Sequence, residues 1–91
     1  MKSDQKKQLR AKAHALKPVV ITGQAGLSTP VMNEIDLALT HHELIKVRIN
    51  AGDRELRKAM GEQICSELRA EQVQLLGHII TLYRKNPDKP A

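Results

Sequence analysis

The sequence predicts an α/β domain of element order α-β-α-β-α-β-β, a four-stranded mixed sheet with helices packed on it. Three observations carry this. Segments with apolar residues at helical spacing alternate with short runs of apolar, largely β-branched residues. The first of those runs leads through a loop with a glycine at each end, Gly23-Gln24-Ala25-Gly26, into a helix with a clear start signal. The last two runs meet at Gly77-His78, short enough for a tight hairpin. Ninety-one residues make one domain. It is expected to cover residues 1–85, and residues 86–91, with two prolines, are expected to be a flexible tail.

Taken in order, Ser3 to about Lys17 reads as the first helix. Ser3 is a candidate cap, the composition is rich in Ala, Lys, Gln and Leu, and Pro18 ends it. Leu9, Ala13 and Leu16 form a narrow apolar stripe. Val19 to Ile21 is the first strand. After the glycine loop, Ser28 and Thr29 compete as N-cap, and Pro30 to His41 follows as a helix with Val31, Ile35, Ala38 and Leu39 on one face. Leu44 to Ala51 alternates with a period of two, so Ile45, Val47, Ile49 and Ala51 face inward and Leu44, Lys46, Arg48 and Asn50 outward. Asp53 caps a third helix to about Arg69, with core stripe Leu56, Ala59, Met60, Ile64 and Leu68. Gly61 falls outside that stripe at a cost of about 1 kcal/mol relative to alanine, and the sequence offers no reason for it. Val73 to Gly77 and Ile79 to Arg84 are the closing strands. Right-handed crossovers make the first three strands parallel, with the second and third helices on one face.

Charge narrows the partner. The net charge is +5 and the pI about 9.7, which point to a polyanion such as RNA, DNA or an acidic membrane surface. No apolar run is long enough to span a bilayer and the N-terminus is charged, so a cytoplasmic protein without a membrane partner is expected. The single cysteine, Cys65, excludes an internal disulfide.

Backbone N–H groups at a helix start, with the positive end of its dipole, favour an anion, and phosphate is the usual one. Gly23, Gln24, Ala25 and Gly26 are therefore candidate nucleic-acid contacts. Arg54, Arg57 and Lys58 stand at the start of the third helix, where the dipole disfavours cations by about 0.3–1 kcal/mol each. They are candidates to complete one phosphate-binding edge with the loop. Lys6, Lys7, Arg10 and Lys17 belong to a first segment in which Asp4 is the only acid, and they read as a phosphate-contacting arm. Lys46 and Arg48 lie on the wetter face of the second strand. Whether the first helix covers them decides their role.

Enzyme readings find little support. The loop lacks the Lys-Ser/Thr pair of a Walker A motif, and there is no GxGxxG. His41 and His42 are adjacent and diverge on a helix, no carboxylate pair stands out, and Cys65 has no motif around it. No catalytic residue, metal ligand or cofactor is expected. With one Tyr and no Trp or Phe, stacked aromatic readout of single strands is not expected either, so binding leans on phosphates and shape. Tyr83 reads mainly as a packed residue with its hydroxyl at the rim.

Several ordered runs together resemble one family. They are Ala13-His14-Ala15-Leu16-Lys17-Pro18-Val19-Val20, Gly23-Gln24-Ala25-Gly26-Leu27-Ser28, Glu34-Ile35, Ala38-Leu39, His42-Glu43-Leu44-Ile45-Lys46-Val47-Arg48-Ile49 and Thr81-Leu82-Tyr83-Arg84. The chain resembles the CRM domain, for chloroplast RNA splicing and ribosome maturation, and more narrowly its stand-alone bacterial YhbY branch, over about residues 8 to 85. The resemblance implies a fold like the C-terminal domain of translation initiation factor three. It also implies an RNA-binding role in association with the precursor of the large ribosomal subunit, and a GxxG loop at Gly23 to Gly26. Here Gln24 and Ala25 are uncharged, so neighbouring Lys and Arg carry the electrostatic load. The expected function is non-catalytic binding of structured ribosomal RNA by a monomer. The alternatives are a general RNA chaperone or splicing-type factor, and a protein-interaction adaptor that does not bind RNA.

Overall fold

The computed structural model describes residues 2–22 and 26–86. Within them the order is α1 (Ser3–Ala13), β1 (Pro18–Thr22), α2 (Thr29–His42), β2 (Leu44–Ile49), α3 (Arg54–Leu68), β3 (Glu71–Leu76) and β4 (Ile79–Tyr83). The expected fold class is the one observed. The strands form one sheet in the order β1-β2-β4-β3. β1 and β2 are parallel, and β4 runs antiparallel to both β2 and β3. The first three strands therefore point the same way, with β4 inserted between β2 and β3.

The central place of β4 follows from its burial. Ile80, Thr81 and Leu82 are all buried, whereas β3 has Glu71 and Leu76 exposed and only Val73 buried. A strand covered on both faces belongs in the middle of a sheet, and one with a wet face at its edge. The main core lies between the sheet and α2 with α3, built from Ile35, Leu39, Met60 and Ile64 against Ile45, Val47, Ile49, Ile80 and Leu82. Leu9 and Ala13 of α1 are buried outside that cluster, and α1 contacts β2 and β3. It covers the opposite face, where Thr81 is buried between Lys46 and Gln74 on the neighbouring strands.

Several expectations are corrected at element ends. Lys2, not Ser3, is the N-cap of α1, and no side chain caps it. The helix stops at Ala13 rather than Lys17, which leaves Leu16 outside the helical stripe and 39% exposed. Ser28 wins over Thr29 as the cap of α2, its Oγ accepting from the Val31 N–H at 3.4 Å. Asp53 caps α3 as expected, accepting from the Glu55 N–H at 3.0 Å. Leu56 does not join the core: it is half exposed, in the first turn of α3 at the strand-end rim, and the buried stripe begins at Met60.

Gly61 finds its reason here. It is buried against the sheet, and a Cβ built on it would lie 2.7 Å from Ile80 Cδ1 and 3.4 Å from Gln72 Oε1. The missing side chain lets α3 approach β4 and β3 closely.

Arg84, just after β4, is a bracket. Its Nη1 donates to Asp36 Oδ1 at 2.6 Å and to the Leu68 carbonyl at 3.0 Å, and its Nη2 to the Asp36 carbonyl and Thr40 Oγ1, both at 3.0 Å. One guanidinium thus joins α2, the end of α3 and the end of β4, which suits its planar fork of donors. Next to it, Glu43 adopts φ +59°, a backbone state that costs a non-glycine residue about 1–3 kcal/mol. It is held there because its carbonyl accepts from the Arg84 N–H at 2.9 Å and its Oε2 from the Asn86 N–H at 2.6 Å. Asn86, the first residue of the expected tail, is therefore anchored, and residues 87–91 lie outside the described residues.

Candidate nucleic-acid interface

Because β1 and β2 are parallel neighbours, their carboxyl ends fall on one rim, and the Gly77-His78 turn falls on the same rim at the end of β3. Short bonds tie the three together. The Asn50 N–H donates to Thr22 Oγ1 at 3.3 Å, the Ile49 N–H to the His78 carbonyl at 2.7 Å, and His78 Nδ1 lies 3.0 Å from the Ile49 carbonyl. The last contact places a proton on Nδ1, since a carbonyl only accepts. Sequence reasoning singled out neither Thr22 nor His78. Their signal lay in strand register, which brings them opposite the end of β2.

At the β1 corner, Gly26 has φ +86°, the left-handed region that glycine enters without strain, and its carbonyl accepts from the Ser28 N–H at 3.2 Å. α2 starts directly after it with no acid in its first turn. The first turn thus offers an anion its dipole with no competing carboxylate. Gly23, Gln24 and Ala25, the rest of the expected loop, lie outside the described residues.

At the β2 corner the three expected cations divide. Arg54 and Lys58, one turn apart on α3, are exposed, and among the described residues neither has an ion-pair partner. Arg57 is half-buried and turned inward. Its Nη1 donates to the Ala51 carbonyl at 2.8 Å and the Gly52 carbonyl at 3.0 Å, so it shapes the loop that presents the other two. Its Nε is buried with no partner among the described residues.

The remaining candidates do not share this rim. Arg48 is exposed on the sheet face that α1 only partly covers, its Nε donating to Asn50 Oδ1 at 2.9 Å, which leans it towards the rim. Lys46 is half-buried beside Thr81. Lys6, Lys7 and Arg10 are on α1, with Lys6 half-buried and the other two exposed. Lys17 precedes β1 and so lies at the opposite end of the sheet, about 16 Å from Thr22 along a five-residue strand. Tyr83 is half-buried at that same opposite end, in register with Leu44. The Cys65 thiol is pushed above its ordinary pKa, first by burial and then by the Glu71 carboxylate, which keeps it protonated and unreactive at neutral pH. Among the described residues, no helix is long and apolar enough to cross a membrane.

Comparison with known proteins agrees with this architecture. The family model described as the CRS1 / YhbY (CRM) domain matches residues 1–84. A Haemophilus influenzae protein named RNA-binding protein is 44% identical over 88 residues, covering 97% of this chain and 89% of the relative. A Pseudomonas aeruginosa relative named a probable RNA-binding protein is 42% identical over 84 residues, covering 92% and 81%. The solution structure of a hypothetical protein from Staphylococcus aureus superposes with a TM-score of 0.87 at 30% identity, covering 99% of this chain and 94% of that one. A match across nearly the whole chain, in sequence and in fold, makes this protein a member of the CRS1 / YhbY (CRM) domain family.

Proposed function

We propose that the chain is a non-catalytic RNA-binding protein whose phosphate contacts centre on the rim shared by the glycine loop and the start of α3. The observation that carries this reading is the pairing of Arg54 and Lys58, exposed and without carboxylate partners among the described residues, with the acid-free start of α2 at the adjacent strand end. Two exposed cations beside a helix N-terminus gather negative oxygens that neither could hold alone. The names of the relatives support RNA as the polyanion. The family resemblance adds the finer reading, ribosomal RNA of the large-subunit precursor, bound in the cytoplasm by a monomer during assembly. Arg57 supports the rim from beneath, and Arg48 extends it onto the sheet.

The test is the salt dependence of binding to a structured ribosomal RNA fragment. Phosphate-dominated binding weakens linearly in log-log form as salt rises, and each phosphate contact removed lowers the slope by about 1. R54Q/K58Q is expected to lower it by about 2 while circular dichroism stays unchanged. An unchanged slope excludes the rim, and no RNA affinity at low salt would favour an adaptor role instead.

A further inference from the structure

Opposite the proposed RNA rim, at the amino ends of β1 and β2, the fold leaves a groove of about 770 Å³ between α1, the Ala15–Lys17 connection and the end of β4. Its size is within the range of small-ligand sites. The floor is apolar, with Leu9, Leu16 and Leu44. Tyr83, the only Tyr, Trp or Phe ring in the chain, lines it beside Leu44, its partner in strand register. Lys12 and Lys17 stand on the wall. Among the described residues the one carboxylate there, Glu43, accepts from the Asn86 N–H at 2.6 Å and sits on a backbone of φ +59° pinned by Arg84, so it is held back by the C-terminal segment. The groove therefore combines a flat ring, an apolar floor and two ammonium groups, against one carboxylate already engaged. A nucleobase needs a surface to stack on, and the phosphate attached to it needs a cation within reach.

We propose that this groove holds one unpaired nucleotide of the bound RNA, its base against Tyr83 and its phosphate between Lys12 and Lys17. This rests on the RNA-binding reading and adds a second contact about one strand length from the first. RNA bound at both ends of the sheet would present a bulged or terminal nucleotide to the groove while a structured region meets the rim. Lys17 then acts here rather than in a continuous basic arm.

Titration with AMP and UMP, followed by proton NMR in D2O, tests the groove alone, because the protein's only other carbon-bound aromatic protons belong to four histidines. Stacking is expected to move the Tyr83 ring protons upfield, in the wild type and in R54Q/K58Q alike, and K12E/K17E is expected to abolish the shift. With structured RNA carrying an unpaired nucleotide, Y83L is expected to weaken binding about 5- to 150-fold, the range for loss of one stacked base, while Y83F retains it. If Y83L does not fold, K12E/K17E, at two exposed positions, carries the same test. No Tyr83 shift, with RNA affinity unchanged in Y83L and K12E/K17E but reduced in R54Q/K58Q, overturns the groove and leaves the rim standing. A Tyr83 shift with RNA binding unaffected by R54Q/K58Q supports the groove and overturns the rim. No shift and no RNA binding by the wild type overturns both.

Discussion

Gly61→Ala sets two known quantities against each other. Helix propensity alone favours alanine in the interior of α3 by about 1 kcal/mol. Against this, the added Cβ would stand 2.7 Å from Ile80 Cδ1, about 1 Å inside normal carbon-carbon contact. A terminal methyl can often move aside. Ile80, however, is fully buried in the core cluster that the sheet forms with α2 and α3, and protein interiors are close-packed, so its Cδ1 yields only by displacing neighbours. Overpacking of this kind costs about 1–3 kcal/mol. The clash outweighs propensity, and the expected net change is a loss of about 1 kcal/mol, or about 4–8 °C in Tm for a domain of this size. Ile80→Val removes the offending atom. Alone it is expected to lose about 0.5–1.5 kcal/mol. In the Gly61→Ala background it is expected to lose less or even to recover stability, so a double-mutant cycle by urea denaturation followed by circular dichroism should give a coupling energy of about 1 kcal/mol or more. The reasoning fails if Gly61→Ala alone is stabilised by the full propensity gain, or if the two changes add without coupling.

Other outcomes follow from the same contacts. Arg84→Met keeps the aliphatic stem but loses four bonds; with the Asp36 pair discounted for its partial exposure, about 2 kcal/mol of stability should go, lowering Tm by about 8–16 °C in a thermal melt. Arg84→Lys should recover little, because a single ammonium cannot span α2 and the end of α3 together. Cys65 in the native protein should react with iodoacetamide more slowly than in urea, and the difference should close only at alkaline pH. Its raised pKa means that the folded state holds the proton longer than the unfolded one. Stability from this group is thus complete below the unfolded-state pKa and declines as pH rises towards the folded value, measurable as a falling urea midpoint. Equal reaction rates in the two states would contradict the burial.

Much of the architecture was legible in the residues. Apolar spacing marked all three helices, the period of two in Leu44 to Ala51 marked β2, which ends two residues earlier at Ile49, and Gly77-His78 marked the hairpin, whose positive φ at Gly77 alone matches a type II′ turn. Strand directions followed from the crossovers. Strand order did not, although Ile79-Ile80-Thr81-Leu82 set beside Glu71-Gln72-Val73-Gln74 held a usable signal: the nearly continuous apolar run is the one that can be buried on both faces. The basic residues were equally visible as residue types, but their type says nothing of direction. Arg57 and Arg84 look like Arg54 in a sequence, and they differ only in which carbonyls the fold places within reach.

Chemistry acting along a few residues is enough to specify three helices, four strands, a capped start after a glycine loop, a basic chain poor in aromatics, and through the ordered motifs the family. Features that depend on residues distant in the chain emerge only when the chain is folded. The need for Gly61 is set by Ile80, nineteen positions away, and the role of Arg84 by Asp36, forty-eight positions away. The groove around Tyr83 exists because α1 ends early and leaves its connection beside the end of β4. The physical reason is common to all three: propensity and capping act between neighbours in sequence, whereas close packing and hydrogen-bond satisfaction act between neighbours in space.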